Sequence, residues 1–331
     1  MDVTWQEGRW FPTLIKGGAL GLVDGDPVYA AGMTQPWRET ELVWRFDGGD
    51  WQPAPPMPRG RCYTKGATCE QGLLVVGGRK RSDAWLLRRE DDALTWIELP
   101  SLGQERAECA LAVANGVAVA AGGGVWETKH SGAFTGDGVT AAERLDLERP
   151  ENGWHRTASP PFPPRVSFSG TAIDSTIWFV GGYNCHVDEN GVRTFDYFRD
   201  VWRYDTDEDT WSEAPGLPFR LSGHDVVAVD DRYLLLLGGC VRLEIDGQLI
   251  LYQTTFMDEK RKLLTGGYSD LVWCYDTCTG TCELLPERMP HGLNDLRATT
   301  DGDHIYVVGG ENADPSTSNT TEWFMVGEVR R

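Results

Sequence analysis

Short apolar runs stopped by paired glycines recur along the chain and set its period. LLVVGG ends at Gly78, AVAAGGG at Gly124, IWFVGG at Gly182, YLLLLGG at Gly239 and IYVVGG at Gly310, and a worn copy, VYAAG, ends at Gly32. Each run is too short for a helix and reads as a strand buried on both faces. The glycines permit a backbone conformation or a close approach that a side chain forbids. Downstream of each pair a second pattern follows: ELVWRFD, DAWLLRRE, AAERLDLE, RDVWRYD, SDLVWCYD and TTEWFMV. Alternation in VWRYD puts Trp202 and Tyr204 on one face of a strand that packs against a neighbouring sheet. A tryptophan then opens a further short strand, at Trp51, Trp96, Trp154 and Trp211, with Cys282 at that place in the fifth copy.

Each unit is thus predicted as four antiparallel strands: an inner strand, the glycine-ended strand, the tryptophan–tyrosine strand and a short outer strand. Six such units repeated radially predict an all-β, six-bladed propeller forming one domain over 1–331. The blades fall near 17–54, 62–99, 107–157, 166–214, 221–285 and 292–327, the last completed by 1–10. The sixth unit lacks an outer strand, and the N-terminal VTWQEGRW supplies a spare one. Trp5 lies 26 residues before Ala31, as Trp51 lies 26 before Gly77. The N-terminal strand is therefore expected to complete the last blade and hide the sheet edges.

The same spacing locates the elaborations. From first glycine to outer-strand residue the first two units take 19 or 20 residues, against about 31, 30 and 44 in the third, fourth and fifth. The excess follows the glycines directly, at Val125–Thr140, Tyr183–Phe198 and Val241–Tyr268, and long loops gathered at one mouth of a rigid scaffold are where function is expected. Within the last of these, Ile245–Leu264 predicts a hairpin or a short helix over the mouth.

Composition narrows the chemistry. A net charge of −19 argues against nucleic acid or an anionic membrane as partner. No apolar stretch approaches the 18 residues of a membrane span. The start, Met1-Asp2-Val3-Thr4-Trp5-Gln6-Glu7, lacks the basic head and apolar core of a secretory leader, which predicts a cytoplasmic protein, or an exported one whose leader has been removed. The eight cysteines suit free thiols in a reducing compartment. Cys274, Cys278 and Cys282 lie four apart in a hairpin, and three readings stay open: free thiols, a cross-strand Cys274–Cys282 disulfide, or a metal site, the last disfavoured by the absence of close cysteine pairs.

A basic residue falls about 15 to 18 positions before the glycines in nearly every unit: Lys16, Arg61, Arg106, Arg165, Arg220, and His291 in the last, with Arg297 closer in. Radial symmetry predicts a cationic ring at the mouth that attracts a carboxylate, a phosphate or an acidic peptide. Internal pairing of these arginines with neighbouring acids is the competing reading. His224, beside Asp225 near an inner strand, is expected to line the channel, and Asn184 and Trp126 in the long loops to line the mouth. His130 and His186, with Glu127 and Asp188 nearby, share those loops, but no spacing announces a metal site or a nucleophile motif, and no cofactor is expected.

The double glycine, the tryptophan–tyrosine–aspartate strand and the following tryptophan resemble the kelch repeat over essentially the whole chain. Galactose oxidase-like kelch enzymes carry a copper site with a tyrosine–cysteine cross-link, for which no matching ligand set is found. Kelch adaptors bind acidic peptides through arginines of the mouth loops. Free-standing six-bladed kelch proteins of this length resemble the N-acetylneuraminate mutarotase (epimerase) family, which has a large insertion in the fifth blade and ends on a glycine-glycine-glutamate strand, here Gly309-Gly310-Glu311. That resemblance implies ring opening at the anomeric carbon of a sugar acid, with an acid/base and a cation for the carboxylate. The family's glutamate after a double glycine maps to Glu311, although Thr317 stands where its arginine is expected, and Glu127 is the alternative loop acid. The expected partner is an anionic small molecule or an acidic peptide or protein segment, bound by a monomer.

Overall fold

In a computed structural model the described residues form β-structure apart from one short 3-10 turn at Pro150–Asn152. The structure describes residues 1–35, 37–125, 139–187, 190, 192–252, 255–257, 263–265, 268–312 and 320–331. Among them are six four-stranded antiparallel sheets, taken here in the chain order of their inner strands. The first comprises Ala19–Val23, Asp26–Thr34, Arg38–Phe46 and Trp51–Ala54. The sixth comprises Arg297–Thr300, His304–Val308, Phe324–Arg330 and, as outer strand, Asp2–Glu7 from the N-terminus. Trp5 pairs there with Gly327.

The glycine-ended runs are the second strands, and Leu73–Val76 and Leu234–Leu237 are fully enclosed. Apolar side chains pack between consecutive sheets, first against second through to fifth against sixth, and a further cluster joins Tyr306 and Phe324 of the sixth sheet to Tyr29 and Trp51 of the first. Trp202 and Tyr204 enter the same cluster, as their alternation requires.

The glycine pairs perform a specific job. The second glycine of each sheet donates its N–H to the backbone of the next: Gly32 to Arg61 O, Gly78 to Arg106 O, Gly123 to Arg165 O, Gly182 to Leu221 O, Gly239 to Leu293 O and Gly310 to Ile15 O, all at 2.7–3.1 Å. The first glycine makes that approach possible. A Cβ on Gly77 would lie 2.4 Å from Arg106 O, and one on Gly181 2.4 Å from Leu221 O. In the worn copy Ala31 holds the left-handed conformation that glycine takes elsewhere.

Two of the long insertions contain strands among the described residues, while 126–138 of the third lie outside them. After Gly182, Tyr183–Val187 pairs with Arg193–Tyr197. After Gly239, Cys240–Ile245 pairs on one side with Arg220–Ser222 and on the other with Gln248–Leu251, and Thr255–Met257 pairs with Leu263–Thr265. The described residues of the Ile245–Leu264 piece thus contribute β-structure. Cys282 stands opposite Tyr275, and Cys274 opposite Glu283, so the two thiols do not face each other across the ladder, and all eight cysteines are free. Among the described residues no helix is long and apolar enough to cross a membrane.

Candidate functional site

The three evenly spaced arginines turn inward. Arg61, Arg106 and Arg165 stand 16 residues before the first glycine of their sheets and are essentially without exposed surface. Each donates to that glycine's carbonyl: Gly77 at 3.2 Å, Gly122 at 2.8 Å and Gly181 at 2.9 Å. Each also meets an acid from its own sheet, Asp83 at 2.5 Å, Glu143 at 2.5 Å and Asp200 at 2.6 Å. Their ion pairs and carbonyl contacts lie within their own sheets, and Arg61 Nε is enclosed without a hydrogen-bond partner.

The remaining bases were not equivalent positions. Lys16 lies one residue further along its lead-in, Arg220 one residue earlier and Arg297 four later, because a count with a tolerance of a few residues merges side chains that point different ways along an extended chain. Arg297 is buried, donating to Asp295 Oδ1 at 2.8 Å and Gly18 O at 2.6 Å. Burial works against its charge, but Asp295 and Asp225 outweigh it and raise its pKa. His224 is also enclosed. Neither ring nitrogen has a hydrogen-bond partner, and burial lowers its pKa to about 3 against the pull of Asp225. Both side chains are buried. Asn184 lies in the hairpin opposite Asp196. Trp126, Glu127, His130 and Asp188 lie outside the described residues, and of the His186 side chain nothing is described.

Two residues beyond the arginine position the six lead-ins form a tier at the mouth: Gly17, Tyr63, Glu108, Ser167, Gly223 and Asp295. All six adopt the left-handed conformation, with φ between 51° and 67°. Backbone bonds link neighbours around it, from Glu108 N to Tyr63 O, Ser167 N to Glu108 O, Gly223 N to Ser167 O and Asp295 N to Gly223 O. The four side chains of the tier gather two carboxyls and two hydroxyls. The Ser167 hydroxyl donates to Glu108 Oε2 and also hydrogen-bonds Tyr183. Asp295 Oδ2 is enclosed with no hydrogen-bond partner.

Burial raises the Glu108 carboxyl to about 7, helped by Asp295 and Glu311 and opposed by the Ser167 hydrogen bond and Arg297. A carboxyl that exchanges its proton near neutrality is suited to acid/base work. No motif marked it in LGQERAEC. Glu311, the carboxyl that sequence resemblance singled out, borders the same tier. It accepts from Lys16 Nζ at 2.5 Å and Asn294 Nδ2 at 3.0 Å and hydrogen-bonds Tyr268.

Two partly open cations come from the fifth sheet's arm. Arg220 and Arg242 are direct cross-strand partners. Arg242 lies 3.4 Å above the Tyr197 ring and reaches Ser222, next to Gly223 of the tier. Arg220 donates to Tyr197 O and meets Glu244 only at 3.5 Å, and its Nε has no partner. Like charges placed opposite each other destabilise a ladder unless an anion meets them. Arg242 sits in an insertion with no counterpart in other units, so no repeat count could find it.

Beneath the tier, inner strands of all six sheets line one cavity of about 240 Å³, with Lys65, Asp225, Ser169 and Arg297 at its upper end. Among the described residues no group of three or more histidine, cysteine, aspartate or glutamate side chains is placed to hold a metal ion.

No family model matches the chain. It is 38% identical over 85 residues to a Brucella suis N-acetylneuraminate epimerase, covering 24% of this chain and 21% of that protein. Over 186 residues it is 23% identical to the Salmonella enteritidis N-acetylneuraminate epimerase, covering 53% and 48%. A Horsepox virus Kelch repeat and BTB domain-containing protein 2 is 28% identical over 158 residues, 48% of this chain and 26% of that protein. The matched segments thus span between about a fifth and a half of these relatives' own lengths. The solved structure described as "Structure of YjhT" superposes with a TM-score of 0.69 at 14% identity, covering 98% of this chain and 97% of that one. The chain is therefore similar to kelch-repeat proteins and N-acetylneuraminate epimerases, and it shares the fold of that structure.

Proposed function

We propose that this chain is a sugar-acid isomerase of the mutarotase type, built on a single six-bladed propeller whose last blade the N-terminal strand completes. The observation that carries the reading is the Glu108 carboxyl, raised to about 7 at the mouth and sharing the tier with the unpartnered oxygen of Asp295. Anomer exchange needs a proton delivered to the ring oxygen as the carbon–oxygen bond opens, and a proton taken from the anomeric hydroxyl. Neutral Glu108 is suited to the first role and Asp295 Oδ2 to the second. Reclosure on the other face of the carbonyl reverses both transfers. The Arg220–Arg242 pair supplies a cation for the carboxylate, in place of the buried arginines. The names of the epimerase relatives favour N-acetylneuraminate as the first substrate to try.

The test is the α/β interconversion of N-acetylneuraminate followed by NMR. Wild type should accelerate it, and Glu108→Gln should lose at least about a hundredfold of that acceleration. No acceleration at micromolar protein removes the reading for this substrate. A binding module without catalysis is the second reading. It is favoured by the place of Arg220 and Arg242 on an arm beside the tier, where they can meet an acidic peptide segment, and it predicts binding that Glu108→Gln leaves intact.

A further inference from the structure

One hairpin of the mouth is not used by this chemistry. Asp26–Thr34 and Arg38–Phe46 run on past the Gly32 level, and Trp37 sits in the turn between them. It holds φ at 55°. A bulky aromatic residue in the left-handed region is an outlier. Among the described residues only two aromatic side chains stand there, Tyr63 in the tier and Trp37. Trp37 also keeps 54% of its surface open.

Its neighbours tie it to the mouth. Lys16 Nζ lies 4.4 Å from the indole centroid, and the same ammonium bonds Glu311 beside the tier. The hairpin is pinned to the second sheet by Arg79 Nε donating to Glu39 Oε1 at 2.9 Å. Two residues before Trp37, the Gln35 side-chain nitrogen is shielded from solvent with no acceptor. A flat, open aromatic surface on an anchored turn matches a pyranose, which offers a face of C–H groups.

We propose that Trp37 is a saccharide platform. Its open face packs against the C–H face of a pyranose whose reacting end points to Glu108. The proposal rests on the sugar-acid reading of the mouth and specifies what that mouth recognises besides the carboxylate. Strain in the free protein is the counterpart of this role. A residue kept for packing alone would stabilise the turn, whereas a platform can be lost without harm to the fold.

The experiment measures dissociation constants by saturation-transfer NMR for N-acetylneuraminate, glucuronate and pyruvate, the last having a carboxylate but no ring. Wild type, Trp37→Phe, Trp37→Gly and Trp37→Asn are compared, with melting temperatures recorded. Trp37→Gly and Trp37→Asn should weaken the two sugar acids at least tenfold, leave pyruvate within twofold and melt no lower than wild type. Trp37→Phe should stay within about threefold for all three. Unchanged sugar-acid affinity in the glycine and asparagine variants overturns the proposal. So does a lowered melting temperature in both variants, or a wild type that binds neither sugar acid. Binding without anomer exchange would instead sink the isomerase reading and leave the platform standing.

Discussion

Arg106 and Glu108 sit two residues apart on one lead-in, both buried, and meet opposite fates. The guanidinium turns into its sheet and spends its donors on Gly122 O, Ala141 O and Glu143. The carboxyl stands in the tier, where burial, helped by nearby acids, keeps it protonatable near neutrality. The same contrast runs through the repeat. At the arginine position the second, third and fourth sheets repeat one residue, and that residue holds the sheet. At the tier the six sheets carry Gly, Tyr, Glu, Ser, Gly and Asp on one shared backbone conformation. Regularity between units marks what the scaffold needs, and departure from it marks where chemistry is placed.

The sharpest way to break this contrast is to remove an arginine. Arg106→Ala leaves Glu143 enclosed without its partner and should cost about 3–5 kcal/mol, read as a large drop in urea midpoint. Arg220→Ala should leave the midpoint almost unmoved and abolish binding of a sugar acid. If Arg106→Ala melted normally, the scaffold assignment would fall. Deleting residues 1–10 should be nearly as damaging, lowering the melting temperature by many degrees, because it strips Asp2–Glu7 from Phe324–Arg330 and exposes that edge. A truncated protein that melts like the full chain would show the strand to be dispensable.

Glu108 makes the next largest effect, and its sign is set by a raised pKa. From an ordinary value of 4.5 the carboxyl rises to about 7 on folding, so the folded state holds the proton more tightly. Its contribution to stability is complete below the unfolded value and is lost as pH climbs through about 7, on the order of 3 kcal/mol in all. Glu108→Gln should flatten that fall, so melting curves from about pH 5 to pH 8 would separate the two proteins most at the alkaline end. Parallel curves would mean that the carboxyl titrates normally. The smallest effect is expected from Arg242→Ala, which relieves the like-charged cross-strand pair. It should raise the stability by about 0.5 kcal/mol while weakening anion binding. A drop would mean that the stacking on Tyr197 matters more than the repulsion.

Much of the scaffold was legible because its constraints are backbone constraints that recur. Paired glycines, alternation around Trp202 and Tyr204, and the distance from Trp5 to Ala31 all report geometry that any such sheet must satisfy. The site was far less legible. Basic residues within a window of 15 to 18 positions look alike in sequence, yet one residue's difference on an extended chain reverses a side chain's direction, which is how Lys16, Arg165 and Arg220 were grouped together. Glu108 carried no signal of its own. A stricter count, 14 residues before the first glycine or 15 in the fifth sheet, aligns the whole tier and would have singled it out. Arg242 and Trp37 belong to no repeat position, and only the folded arms bring them to the mouth.

The bonds from each second glycine to the following sheet bear on how the molecule opens. A linear array of repeats frays from its terminal units. Here Gly310 donates to Ile15 O as Gly78 donates to Arg106 O, so every sheet has a neighbour on both sides. Loosening one sheet breaks two such bonds, wherever it starts. Hydrogen exchange at Gly32, Gly78, Gly123, Gly182, Gly239 and Gly310 should therefore converge on one slow rate set by opening of the whole assembly, with no slow-to-fast gradient from one end of the chain to the other.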